Sequence, residues 1–420
     1  MTEEATATVQ NDRPYSLKKS IFFLCILLLS FVINAMDRQI FPMLLNWISK
    51  AYGFTLKDAG LLATIFTIGL AVAGIPAGFL LDRWSRKSVI VIGIVIYSIF
   101  TMATIYATGF WDMLIYRALT GVGEGMQMAA LYVIIGSYFY KDKALAIGGM
   151  ILGFGLGSFV SPWLGAKLML ATGNWHTPFI VYTVVGFVIA VIVWIILPRP
   201  FCESRGPVKE NNADAANLAA IERVPAEFWN RNLIMVAVAA ALLGSSFYGY
   251  VSLYTTYLIR ALQYTPEAAG IAFGTLGFGS AATSLIAGWL GDRFPQRWII
   301  ALAYVTVVVD GYLMYNTVSS LAGQMACSFV MGAALSGFLN VNCSSFIQRC
   351  VRPDMVGRAS GVFVTVHFTA GAIAGYLFGL YVEVFSWGMA GIIHLSICPL
   401  VAIIAMLFIR EDQLFLPAKK

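Results

Sequence analysis

Four ionisable side chains sit where such groups are costly. Asp37 and Arg38 fall about 17 residues into the first long apolar stretch, and Arg117 and Glu124 about five and twelve residues into the fourth. A charge deep in an apolar membrane helix costs at least ~2.5–3.5 kcal/mol on insertion scales, so each is a functional candidate. Arginine is planar and permanently charged, and its fork matches a carboxylate. Arg38 and Arg117 are therefore candidates to bind an organic anion. Burial favours the neutral form of a carboxyl, so Glu124, nearer the midplane, and Asp37 are candidates to carry a proton. Arg117 and Glu124 are two helical turns apart, ~10.5 Å along the axis. That is too far for a direct pair and leaves room for an anion or another side chain. Asn34 shares a face with Asp37, three residues on. Gly121, Gly123 and Gly125 flank Glu124 and admit neighbouring helices. A structural ion network, with Asp37 and Glu124 neutralising Arg38 and Arg117, accounts for the same residues. It is not separable from function, because such a network can rearrange.

The elements that must position these groups are membrane helices. The 420-residue chain is 59% hydrophobic and only 11% charged, too few charges for a water-facing surface. Apolar stretches long enough to cross a bilayer are expected at 20–44, 58–81, 88–108, 112–137, 144–170, 177–197, 231–259, 268–291, 298–317, 320–347, 358–384 and 386–409. The polar stretch 198–230 divides them into halves 1–197 and 231–420. The N-terminus is polar up to Lys19 and no cleavage pattern closes the first stretch, which is read as a retained helix. Of the 27 lysines and arginines, all but Arg38, Lys50, Lys57, Arg117, Lys167 and Arg260 fall in the tails or in loops on one side. This bias predicts both termini and the central loop in the cytoplasm.

A repeat supports the two halves. Gly78-Phe-Leu-Leu-Asp82-Arg83-Trp-Ser-Arg86 follows the second stretch, and Gly288-Trp-Leu-Gly-Asp292-Arg293-Phe-Pro-Gln-Arg297 follows the eighth, half a chain length later. The aspartates can cap or charge-pair at a helix end, and the arginines can grip lipid phosphates or a neighbouring helix. These paired turns, with the six-plus-six layout, resemble the major facilitator superfamily across nearly the whole chain. The resemblance implies an all-α membrane protein of twelve helices, alternating access around a central cavity, and an inner-gate latch at the two turns.

Asn34-Ala-Met-Asp37-Arg38 with Arg117-Ala-Leu-Thr-Gly-Val-Gly-Glu124 resembles the anion:cation symporter family, as does Phe247-Tyr248-Gly249-Tyr250 through Tyr257-Leu258. That resemblance implies proton coupling at the acidic pair and anion binding at the arginine pair. Spinster lipid transporters share a similar pattern, so a lipid or amphiphile carrier is the alternative. Tyr248, Tyr250, Tyr254, Ser336, Asn340 and Asn342 could line a cavity with hydrogen-bonding groups, or could equally serve lipid contact and helix packing. Gly149, Gly153 and Gly157 read as a packing stripe, Asp310 as structurally paired, His367 and His394 as core histidines, and Lys167 as snorkelling. The six cysteines form no C-x-x-C pair and read as packing residues, so neither disulfides nor a metal is expected. No nucleophile–His–acid set supports an enzyme, and a non-transporting scaffold leaves the four charges unexplained. The expectation is a monomer in a bacterial cytoplasmic membrane. Its partners are a small organic anion, protons and lipids, with no nucleic acid; it needs no cofactor beyond the proton gradient.

Overall fold

The computed structural model describes residues 14–139, 143–203, 223–352 and 355–415, without the side chains at 74–76, 78–79, 82, 136, 143–148 and 357. Among the described residues, twelve helices are long and apolar enough to cross a membrane. They are α1 (Leu17–Tyr52), α2 (Leu56–Ala73), α3 (Arg86–Thr104), α4 (Phe110–Ile135), α5 (Gly149–Thr172) and α6 (His176–Ile196), then α7 (Arg231–Arg260), α8 (Pro266–Arg293), α9 (Gln296–Asn316), α10 (Leu321–Arg349), α11 (Arg358–Val384) and α12 (Trp387–Leu407). An even number of crossings puts the start of α1 and the end of α12 on one face, here the terminal face; the opposite one is the far face. Within the central stretch, 204–222 lies outside the described residues, while Asn230 caps α7 through Leu233 N at 3.0 Å.

All twelve expected spans are present, and one is longer than expected: α1 continues past residue 44 to Tyr52. Its polar end mimics a loop in sequence, but Asn46 and Ser49 are buried, and Ser49 Oγ donates to the Leu45 carbonyl at 2.7 Å. Pro42 lies inside α1 without ending it. Having no N–H, it leaves the Arg38 carbonyl without its helical donor. Gly53, at φ 71°, closes the helix in the left-handed region where glycine is unstrained.

Small residues set the helix order in the first half. A Cβ on Gly121 would overlap the Phe66 backbone of α2, and one on Gly123 would press on Gly93 and Tyr97 of α3. Gly125 packs on Leu70 and Ala73 of α2. With those faces of α4 committed to α2 and α3, the neighbouring Glu124 is left to face α1.

The halves meet at the far face. The Gly60 and Gly375 backbones touch between α2 and α11; nearer the middle of the membrane, Gly155 packs on Gly277 between α5 and α8. Thr64 and Thr67 donate to the Ala372 and Phe368 carbonyls at 2.8 and 2.9 Å. Thr255 of α7 donates to the Pro42 carbonyl of α1 at 2.6 Å. The apolar core follows the same division. One cluster joins the far-face part of the first half to the second half, through residues such as Phe41, Leu62, Leu253 and Phe378. A separate cluster, with Leu27, Val89, Ile134 and Val193, fills the terminal-face part of the first half alone. Among the described residues, the polar ties between the halves thus lie toward the far face.

Candidate functional site

The four charges converge between α1 and α4. Arg38 Nε lies 2.9 Å from Glu124 Oε2, and both side chains are buried. Asp37 accepts Thr101 Oγ1 of α3 at 2.9 and 2.8 Å on its two oxygens. Asp37 and Glu124 are both buried in this cluster, Asp37 beside Thr101 and Glu124 beside Arg38. Asn34 donates to Gln127 Oε1 at 2.9 Å, and Gln127 donates to the Ser30 carbonyl at 3.1 Å, tying α1 to α4 one turn below the acids.

Arg117 is held differently. It is 1% exposed, and its guanidinium sits 4.4 Å from the Phe41 ring centre and 5.2 Å from that of Phe66. Aromatic faces attract a desolvated cation by ~2 kcal/mol but supply no acceptor for its N–H groups. Its Nε and Nη2 have no hydrogen-bond partner. Tyr248 of α7 packs on the other side of Phe66 at 5.8 Å, so the second half closes over this arginine.

Unpartnered polar atoms concentrate here: Nε and Nη2 of both arginines, both Glu124 oxygens, Asn34 Oδ1 and the Tyr97 hydroxyl. The Arg38–Glu124 pair is therefore close, but its N–H does not point at the acid. Each unsatisfied buried group costs ~1–3 kcal/mol, and charged groups cost more. A chain that needed only packing would not gather them. The arrangement offers forked cationic donors to an anion and places two carboxyls beside them that can exchange a proton.

As the helical spacing predicts, Arg117 and Glu124 do not pair directly; Arg38 of α1 meets Glu124 instead. The second-half candidates divide between the two roles open to them. Tyr250 and Tyr254 bond away from the cluster, to Ser328 Oγ and Gln324 Oε1 at 2.9 Å each. Both rings are fully buried and serve α7–α10 packing. Ser336 accepts from Ser280 at 2.9 Å within the second half, and Asn340 is exposed; both lie in the π-helical turn Gly332–Asn340 of α10. Of the candidate second-half residues, Tyr248 alone packs against the cluster's aromatic wall. Asn342 donates to the Ala287 carbonyl at 3.2 Å, a packing role. Gln127 was legible, one turn beyond Glu124. Thr101 and the aromatic pair Phe41 and Phe66 carried no signal among so many apolar positions.

The second of the paired turns makes its described ion pairs within its own half. Asp292 Oδ1 lies 3.0 Å from Arg349 Nη2 at the end of α10, and Arg297 Nε lies 2.6 Å from Glu411 Oε1. Arg293 stacks on Trp289 at 4.3 Å, while Gly288 leaves room beside Val341. This copy fastens the second half to itself. In the first copy Arg83 is exposed and Arg86 opens α3; the side chains of Gly78 and Asp82 lie outside the described residues.

Other polar groups are structural. His367 Nδ1 faces the Ala240 carbonyl at 3.3 Å, and His394 Nε2 faces the Ser245 carbonyl at 2.8 Å. Asp310 is buried within the second half, and its Oδ2 has no hydrogen-bond partner. Lys167 pairs with Glu267 at 3.7 Å rather than only reaching for the interface.

Residues 27–264 and 236–419 match the model of the Major Facilitator Superfamily. The chain belongs to that superfamily. It is accordingly a transporter and not an enzyme. It is 22% identical to the 4-hydroxybenzoate transporter PcaK of Pseudomonas putida, over 78% of each chain. It is 23% identical to the hexuronate transporter of Bacillus subtilis, over 85% of this chain and 86% of that one. Among solved structures, a bacterial homologue of the human lysosomal transporter Spinster, inward-facing and unoccupied, superposes with a TM-score of 0.78. The identity there is 18%, over 96% of this chain and all of the other, a likeness of fold. The twelve-helix architecture of this facilitator thus follows the sequence expectation.

Proposed function

We propose that this facilitator is a proton-coupled symporter of small organic carboxylates, working as a monomer in a bacterial cytoplasmic membrane with both termini inside. The observation that carries the reading is Arg117, a buried guanidinium with two N–H groups free of any partner beside a second arginine held only by proximity. A carboxylate is the ligand whose geometry and charge complete such a fork. The printed names of the relatives, carriers of an aromatic acid and of a sugar acid, support the same class.

Coupling follows from competition for the arginines. When the anion engages Arg117 and Arg38, Glu124 loses its counter-charge and takes up a proton. Release on the inner side restores the Arg38–Glu124 pair and frees the proton. A monoanion moving with one proton is electroneutral; with two, net positive charge moves inward. A conformation tied at the far face, with the terminal face toward the cytoplasm in this orientation, is the one in which release occurs.

The test is a thermal-shift panel of purified protein against aromatic acids, hexuronates and dicarboxylates, with their amides as neutral controls. The reading expects stabilisation by at least one acid and none by its amide. Equal stabilisation by acid and amide, or by long-chain amphiphiles alone, would favour the lipid-carrier alternative.

A further inference from the structure

Among the described residues, three polar side-chain pairs tie the halves at the far-face seam, and one is unlike the others. Lys57 pairs with Glu383, its Nζ 4.0 Å from Oε2, and Lys167 pairs with Glu267. Arg260, at the last turn of α7, instead donates its Nε to the neutral amide oxygen of Asn46 on α1 at 2.6 Å. It is half-buried, and among the described residues no carboxylate forms an ion pair with it. A neutral amide ties two helices without cancelling a cation, so an uncompensated positive charge stands at this seam.

Its position gives that charge a use. Arg38, Pro42 and Asn46 follow at four-residue intervals and form one stripe on α1. Pro42 and Asn46 meet α7 through Thr255 and Arg260, while Arg38 meets Glu124. Asn46 is two turns above Arg38, ~12 Å along the axis. When the halves part at the far face, the α1–α7 seam opens. Arg260 then stands at its mouth, directly in line with the central arginines.

We infer that Arg260 is a first docking point for the transported anion at the far mouth. The incoming carboxylate displaces the Asn46 amide, loosens the seam, and passes down the stripe to Arg38 and Arg117. This rests on the organic-anion reading of the central site. It adds a second cationic station and a reason for the seam to yield to substrate.

The two functions of Arg260 separate by sign. Asn46→Ala loosens the seam but keeps the cation, so it favours far-side opening and leaves the far-side KM equal or lower. Arg260→Gln loosens the same seam and removes the charge, so the far-side KM rises roughly tenfold, as expected for a lost steering charge. Arg260→Lys keeps most of the wild-type value. The excess in Arg260→Gln shrinks at high salt, because exposed charges are screened beyond a Debye length of roughly 10 Å. The assay is uptake of labelled 4-hydroxybenzoate and glucuronate into oriented proteoliposomes, with substrate presented at each face in turn.

If Arg260→Gln lowers the far-side KM as Asn46→Ala does, Arg260 is a gate tie only and the inference fails. It also fails if the KM rises equally from both faces, or if salt leaves the difference intact. The anion reading is scored separately by Arg117→Lys in the same vesicles. Loss of transport there with unchanged behaviour of Arg260→Gln overturns the docking point alone. Wild-type vesicles that take up neither acid overturn both.

Discussion

Arg117 gives the sharpest test of the central site. Replacing it with lysine keeps a cation against Phe41 and Phe66 but exchanges a planar fork for a single ammonium. One of two charge-assisted hydrogen bonds to the carboxylate is then lost, at ~1.5–3 kcal/mol. That corresponds to ~10- to 150-fold weaker binding. Arg117→Ala removes both bonds and the charge, and loses at least ~100-fold on the same scale. The measurement is equilibrium binding of the best acid from the thermal-shift panel, by titration calorimetry in detergent. Unliganded melting curves show whether each variant is folded. Because Nε and Nη2 of Arg117 bond to nothing in the unliganded protein, both variants should keep a cooperative transition. The order wild type, lysine, alanine is the expected outcome. If both variants bound the acid within about threefold of wild type, less than ~0.7 kcal/mol apart, the anion would not meet this guanidinium and the site would lie elsewhere.

Further expectations concern coupling, gating and orientation. Glu124→Gln imitates the protonated acid; it should keep anion binding and counterflow but not concentrate substrate under an imposed proton gradient. Accumulation in proportion to the gradient would move the coupling role to Asp37. Gly60→Ala places a Cβ on the Gly375 carbonyl and forces α2 from α11. It should shift the population toward far-face opening, read as faster far-side labelling of a cysteine in that seam; unchanged labelling would mean another contact holds the gate. Cysteines placed at 205 and 420 in a cysteine-free background should resist impermeant reagents in sealed cells. External labelling at either position would reject the assigned orientation.

Hydropathy and composition were enough to determine the twelve crossings, the two halves and the presence of four intramembrane charges. Each depends on residues close in sequence: about 20 apolar positions make a span, and a charge within one stands out against its own neighbours. The end of α1 escaped that reading because Asn46 and Ser49 look like loop residues until buried partners satisfy them. Tertiary structure alone decided which charge meets which. Helical spacing shows that Arg117 and Glu124 share a face, but not that Arg38 reaches Glu124 first or that Phe41 and Phe66 enclose Arg117. Those pairings depend on how far α1 and α4 are rotated and how closely α2 and α3 approach. The clearances beside Gly121, Gly123 and Gly125 set that approach. Likewise the hydroxyls of Tyr248, Tyr250 and Tyr254 look alike in sequence. Only the placement of α10, with Ser328 and Gln324 turned toward α7, commits two of them to packing and leaves Tyr248 against the cluster's wall.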